Sequence, residues 1–315
     1  MEKIEEKSEF QEIPKEEEEV PEGKMVLGWQ IYDENKIFEF SWQQINNMVM
    51  TGKEVGKGLN GKVFKVTVEG SDIAAVKQYK IGKPGSQKDI GYLNQYQTER
   101  TVLTELKELK HKNIIKLIGY CDEKRSLVLE FHDGGNLANN YHTLEWNDLK
   151  KIITQVAEGL KAIHERKITF VDLKPQNVLL DEDNNAKICD FGSCNTEVCT
   201  PIYAAPQVPV VGEEFTNKAD VYSFGAMLAV LTMRLDAENP KAEINVEGDH
   251  HSTALNRFIR GKTKIVHYKL RDTETETGCS EESAKKVKEL AEICTNLKED
   301  ARPTMEEVIA KLDAI

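Results

Sequence analysis

Long apolar runs are missing from this sequence of 315 residues. The longest, "FGAMLAVLTM" from Phe224 to Met233, is about half the length a membrane-spanning helix needs and reads as a buried helix, so no membrane span is expected. The first residues lack the basic start and apolar middle of a secretory signal, and Glu2 stands where N-myristoylation requires glycine. Paired cysteines are missing as well. Cys121, Cys189, Cys194, Cys199, Cys279 and Cys294 form no C-x-x-C pair and no zinc spacing with histidine, which predicts reduced thiols in a cytoplasmic protein. Cys194 and Cys199, close together in one short segment, are the one pair placed to form a redox couple. A basic excess is also absent: the net charge is -12, which argues against a nucleic-acid partner, since such binding draws on clustered Lys and Arg.

What is present suits a packed fold, with 39% hydrophobic and 30% charged residues. The chain is long enough for two domains or one bilobal unit. Ten Glu and four Lys fall in residues 1–24, so that stretch carries -6, half the imbalance, and reads as an acidic, disordered, solvated tail. Residues 25–50 form an N-terminal extension in which "KIFEFSWQQI" reads as a short strand or helix, with Phe40 and Trp42 as core contacts. From Gly52 the pattern turns to strands: "KVFKVTVEG", a turn at Gly70-Ser71-Asp72, then "IAAVKQYK" as an antiparallel hairpin. "KPGSQKDIGYLNQY" reads as a polar connection into a helix carrying Val102, Leu103, Leu106 and Leu109, and "NIIKLIGYC" and "SLVLEFH" as further strands ending at Gly134-Gly135. Beyond that point "WNDLKKIITQVAEGLKAIHE", "ADVYSFGAMLAVLTM" and "SAKKVKELAEICTNL" are helical. The fold class expected is therefore α+β: a small antiparallel β-sheet lobe with one helix (51–132), a larger mainly helical lobe (133–315), and a ligand cleft between them.

Four short strings carry chemistry. "GKGLNGKV" places Gly56, Gly58, Gly61 and Val63 where a backbone can approach an anion closely. "AAVK" puts Lys77 at hairpin distance, within reach of phosphates. In "DLKPQN", Asp172 can orient and deprotonate a hydroxyl, Lys174 can neutralise a migrating phosphoryl group, and Asn177 can bind magnesium. "DFG" supplies Asp190 as the other magnesium ligand. Each string recurs by chance; four in this order do not.

In these residues the chain resembles a eukaryotic protein kinase from about Thr51 to its end, with "HKNIIKLIGYC", "LVLEFHDGGNL", "TPIYAAPQ", "ADVYSFG" and "ARPTMEEV" in family order. In detail it is similar to the tyrosine-kinase-like group, especially Pelle and plant receptor-like kinases. The resemblance implies a bilobal kinase fold that uses ATP and Mg2+. Adenine would lie between Val63 and Ala75 above and Leu179 below, near Val55, with backbone hydrogen bonds from the Glu130 to His132 segment and Leu129 as gatekeeper. It implies that Asp220 anchors the catalytic loop, and that Lys174 and Thr200 mark a Ser/Thr acceptor on a protein substrate. An upstream receptor or signalling complex is the partner such a kinase implies.

The sequence departs from that family at several points. Phe170 and Val171 precede Asp172 where the family has His-Arg, and the arginine normally pairs a phosphate on the activation loop, so that switch is lost. Phe170 can fill the histidine's space against Phe191 without its hydrogen bonds. The glutamate expected to pair Lys77 is either Glu99 or Glu105, because counting back from His111 lands on Val102. Gln207 replaces the glutamate that would pair Arg302, leaving a hydrogen bond without charge assistance. The short segment from Asp190 to Gln207 leaves little room for a phosphorylation loop; Ser193, Thr196 and Thr200 are its candidate acceptors, with Thr200 read as structural. Three readings follow: a protein Ser/Thr kinase, a pseudokinase that docks on a partner, and a kinase of small molecules.

Overall fold

The computed structural model describes residues 24–27, 30–33, 36–67, 73–208, 216–232 and 279–315. The acidic tail as far as residue 23 and the Gly70-Ser71-Asp72 turn lie outside them. Strands β1 (Lys24–Leu27) and β2 (Gln30–Asp33) pair antiparallel. The main sheet is built from β3 (Phe38–Glu39), β4 (Lys53–Lys57), β5 (Gly61–Thr67), β6 (Ile73–Tyr79), β7 (Leu117–Cys121) and β8 (Ser126–Glu130), in the order β3-β7-β8-β6-β5-β4. Five strands run antiparallel, as expected; the short edge strand β3 adds parallel to β7, with Phe38 opposite Gly119. Gly119 has to be glycine there, because a Cβ would sit 2.4 Å from both the Phe38 carbonyl and the Phe40 ring.

The extension is helical as well as extended. Helix α1 (Trp42–Thr51) starts on a capping box in which Ser41 and Gln44 satisfy each other's backbone N–H groups. The period of two along β6 then divides the sheet between two cores. Ala74 and Val76 face Phe40, Ile45, Val66, Ile118 and Val128 on the α1 side, whereas Ala75, Lys77 and Tyr79 point to the opposite face, toward the second helix and the cleft.

That second helix, α2 (Gln87–Lys107), corrects the expected polar connection: "QKDIGYLNQY" is its first half, not a loop. Ser86 caps it by accepting the Asp89 N–H, and the buried Asp89 carboxylate accepts from Gly82 N–H and pairs with Arg125 at 2.8 Å, which fixes the helix start against the sheet. The half-buried guanidinium and the Gly82 amide hold the Asp89 carboxyl below its usual range.

The larger lobe follows through α3 (Leu137–Asn140), α4 (Trp146–Glu165), the hairpin β9 (Val178–Leu180) with β10 (Ala186–Ile188), α5 (Lys218–Thr232), α6 (Glu281–Cys294) and α7 (Met305–Asp313). Helix α4 buries the stripe Leu149, Ile152, Ile153, Val156, Leu160 and Ile163. Helix α5 is buried on every face from Ala219 to Thr232, as its nearly continuous apolar sequence predicts. Gly225 lets α6 press against it: a Cβ there would lie 2.5 Å from the Cβ of Cys294. All six cysteines are free thiols, so Cys194 and Cys199 are not joined; Cys194 is buried, and burial holds its thiol well above the usual range.

Candidate active site

The two lobes meet at Lys77. Its ammonium, carried on β6, lies 2.6 Å from Glu99 Oε2 on α2 and 2.8 Å from Asp190 Oδ1 in the turn after β10. Glu99 is fully buried, while Glu105 is exposed on another face of the helix, so of the two candidates only Glu99 meets the lysine. The Glu99 carboxylate has two further donors: the Tyr79 hydroxyl on Oε2 and the Phe191 backbone N–H on Oε1 at 3.2 Å. Burial pulls the Lys77 ammonium toward neutrality, but Asp190 and Glu99 outweigh it and hold the group well above the usual lysine range. For Asp190 the low-dielectric surroundings would raise the carboxyl. Lys77, with help from Lys174 and the Gly192 N–H, overrides them and keeps it below the usual range. Asp190 itself takes a left-handed backbone, φ +67°, a conformation aspartate tolerates better than most residues, and 45% of its side chain stays open to solvent.

A second cluster gathers around Asp172. Its Oδ2 accepts from Lys174 Nζ at 2.6 Å and from Asn177 Nδ2 at 3.3 Å, and its Oδ1 accepts from Thr200 N–H at 2.8 Å. Lys174 bridges onward to the Thr200 hydroxyl at 2.7 Å, so lysine, aspartate and threonine close a ring. The Asn177 amide also donates to the Asp172 carbonyl at 2.9 Å. This leaves its carbonyl oxygen as the atom that could meet a cation.

The loop bearing Asp172 is held from beneath. Asp220, fully buried in the first turn of α5, accepts the N–H groups of Phe170 and Val171 at 2.7 Å each and touches His164 Nε2 at 2.9 Å. Phe170 stacks edge-on against Phe191 with ring centroids 5.0 Å apart, and both rings are fully buried. Val171 is buried with φ +74°, which is strained for a β-branched residue. Arg302 is buried too; its guanidinium donates to Gln207 Oε1 at 2.8 Å and to the carbonyls of Asn296 and Lys218, as a neutral partner at 207 predicts.

The expected nucleotide-cleft residues are less uniform. Val63, opposite Lys77 in register, and Ala75, opposite Leu129, belong to the same core as Leu179. Val55 is the bulged residue of β4 and is 46% exposed. The three glycines differ in kind. A Cβ at Gly61 would lie 2.1 Å from the Gln78 carbonyl, so strand packing alone demands glycine there, whereas one at Gly58 would meet nothing within 4 Å and Gly56 has ordinary clearance. The Glu130 backbone N–H is already spent on the Lys116 carbonyl at 3.1 Å, so it is unavailable to a base; its side chain pairs with Lys187 at 2.9 Å and lies 3.4 Å from His132. Ser193, one of the candidate acceptors, is buried, and Thr196 binds its carbonyl.

Two residues escaped the sequence reading. Tyr79 lies on the same strand face as Lys77, two positions on, and Lys80 Nζ holds the tip of the glycine loop through the Leu59 carbonyl at 2.6 Å. Only the period of two along β6 could have pointed to Tyr79.

A two-lobed cleft that sets an ammonium between two carboxylates, beside an aspartate ringed by lysine, asparagine and threonine, defines a phosphoryl-transfer class of site. The family model of the protein kinase domain matches residues 49–312, and the chain belongs to that family. It is 32% identical over 289 residues to a probable serine/threonine-protein kinase, PBL3, of Arabidopsis thaliana (83% of this chain, 65% of that protein). It is 33% identical over 291 residues to the serine/threonine-protein kinase PBL35 of the same plant (82% and 56%). It is also 33% identical over 289 residues to an EPD1-interacting receptor-like cytoplasmic serine/threonine-protein kinase of Nicotiana benthamiana (83% and 59%). The chain thus spans between about half and two thirds of the length of these relatives. Among the described residues, no helix is long and apolar enough to cross a membrane.

Proposed function

We propose that this chain is an ATP- and Mg2+-dependent protein serine/threonine kinase, working in the cytoplasm beside an upstream receptor or signalling complex. The observation that carries the reading is the Lys77 ammonium lying within 2.8 Å of both Glu99 and Asp190, which unites three segments far apart in sequence. Asp172 orients the acceptor hydroxyl and takes its proton, and Lys174, shared with Thr200, offsets the charge that gathers during transfer. Lys77 is held by its two carboxylates so that its position does not have to be found during the reaction. Asp190 and Asn177 would hold Mg2+, which supplies charge neutralisation on phosphate oxygens. A half-open carboxylate and an amide oxygen suit that hard cation, which keeps most of its shell as water and phosphate. We extend the domain reading likewise, with the small lobe at 51–132, the larger at 133–315 and residues 25–50 as an extension.

The docking-module reading draws on Phe170, Val171 and Gln207. All three are integrated here: Phe170 packs on Phe191, Val171 donates to Asp220 and Gln207 binds Arg302, so none disturbs the groups around Lys77 or Asp172. The names of the relatives favour a protein substrate over a small molecule. The test is phosphate incorporation from labelled ATP and Mg2+ into a generic protein acceptor, with phosphoamino-acid analysis. Asp172→Asn is expected to lower the rate by about a hundredfold or more, the scale of losing a general base, and the label is expected on serine or threonine. Equal residual signal from both proteins would refute the kinase reading.

A further inference from the structure

Tyr79 is a buried phenol that the kinase chemistry does not itself use. It ends β6, with its backbone N–H bound to the Arg125 carbonyl at 3.0 Å and its ring set edge-on against Tyr96 at 5.8 Å, so the hydroxyl has a fixed direction. That hydroxyl donates to Glu99 Oε2, the oxygen that Lys77 also uses, and the Lys77 ammonium lies 5.0 Å from the centre of the tyrosine ring. The turn after Asp190 closes over the same spot: a Cβ added to Gly192 would begin 3.2 Å from the hydroxyl. Burial first, and then the Glu99 carboxylate, hold the phenol well above its usual range, so it remains a donor.

The charges show why an extra donor matters. Two carboxylates, Glu99 and Asp190, share the single ammonium of Lys77, and Glu99 is cut off from water. A lysine turned toward a phosphate gives Glu99 less, and a buried carboxylate short of donors is costly. Resting on the kinase reading, we infer that Tyr79 is a positioning residue of the active site: its hydroxyl keeps Glu99, and with it α2 and the Phe191 turn, in place while Lys77 is shared with nucleotide. Since Phe191 N–H binds the other oxygen of the same carboxylate, losing the phenol loosens helix and turn together.

The experiment compares the full chain with Tyr79→Phe by calorimetric titration with MgATP, steady-state kinetics, and hydrogen exchange without nucleotide. The Kd and KM for ATP are expected to rise about tenfold, the lower end of what a hydrogen bond to a charged group is worth, with the KM for the acceptor unchanged. A variant that merely folds less well would lose kcat and keep both KM values. In a Glu99→Gln background the same substitution is expected to change ATP affinity less than twofold. An unchanged Kd, a loss confined to kcat, or an equal loss in the Glu99→Gln background would overturn the inference. A wild type that binds MgATP but transfers nothing would refute the kinase reading and leave this comparison standing. Should the wild type bind no nucleotide, exchange of the Phe191 amide decides: at least fivefold faster in Tyr79→Phe supports the role, and an unchanged rate overturns it.

Discussion

Asp220→Asn isolates the contact that shapes the loop before Asp172. The carboxylate is fully buried, accepts two backbone N–H groups at 2.7 Å, and sits in the first turn of α5, where the helix dipole favours negative charge. Phe170 N–H and His164 Nε2 share Oδ2, whereas Val171 N–H alone uses Oδ1, so an asparagine that keeps its one oxygen on the shared side turns its amide donor toward the Val171 N–H. A hydrogen bond to a charged group is worth about 1.5–3 kcal/mol, and an orphaned buried N–H costs about 1–3 kcal/mol. Relief from burying a charge offsets part of this, which leaves an expected loss of about 2–4 kcal/mol in a urea titration. The strained Val171 backbone, φ +74°, relaxes once its N–H is released, and the following Asp172 then moves. Phosphoryl transfer is accordingly expected to fall further than the stability loss explains when both are measured at a temperature where the variant is folded. A stability change under about 0.5 kcal/mol with full activity would refute the reasoning, because the two N–H groups would then need no charged acceptor.

Two further outcomes follow from how α5 meets α6. Gly225→Ala would place a Cβ 2.5 Å from the Cβ of Cys294 and 2.9 Å from Thr295 Cγ2, so urea unfolding should show a loss of about 1–3 kcal/mol from overpacking. The Cys294 thiol is pushed up to about 12 by burial, so its contribution is fully present below the unfolded thiol value near 9 and is lost as pH rises through the folded one. Between about pH 9 and 12 stability should fall by up to about 1.4 kcal/mol per pH unit on this account, and Cys294→Ala should flatten the slope of melting temperature against pH.

The strings around Asp172 and Asp190 were legible because each packs several functional groups into a few residues. What needs phase or distance was not. Helix α2 was hidden at its start because its buried face holds Asp89 and Glu99 alongside Tyr96, Val102 and Leu106, so it shows no clean apolar stripe; the Ser86 to Asp89 spacing was the one cap signal available. Glu99 and Glu105 could not be separated by counting, since only the packing of α2 on the sheet decides which face is turned to Lys77. Gly61 fits the glycine motif, yet the Gln78 carbonyl explains it without any ligand, which shows how one residue type can meet two demands at the same position. Gln207 with Arg302 was legible only through the resemblance, which gives the glutamate position and its distant arginine; the amide oxygen there accepts from the guanidinium at 2.8 Å.

Phe170 and Val171 were the residues that made the sequence look altered, and their burial bears on regulation. A charged side chain at 171 could reach toward a phosphate on the following segment; valine there is enclosed and contributes only its backbone N–H to Asp220. The Lys77, Glu99 and Asp190 group is nonetheless assembled, and its contacts come from β6, α2 and the Phe191 turn. Phe170 joins that assembly to the loop bearing Asp172 through its contact with Phe191. The physical consequence is a site whose order rests on packing and buried hydrogen bonds: Phe170 against Phe191 on one side, and Glu99 holding both the Lys77 ammonium and the Phe191 N–H on the other.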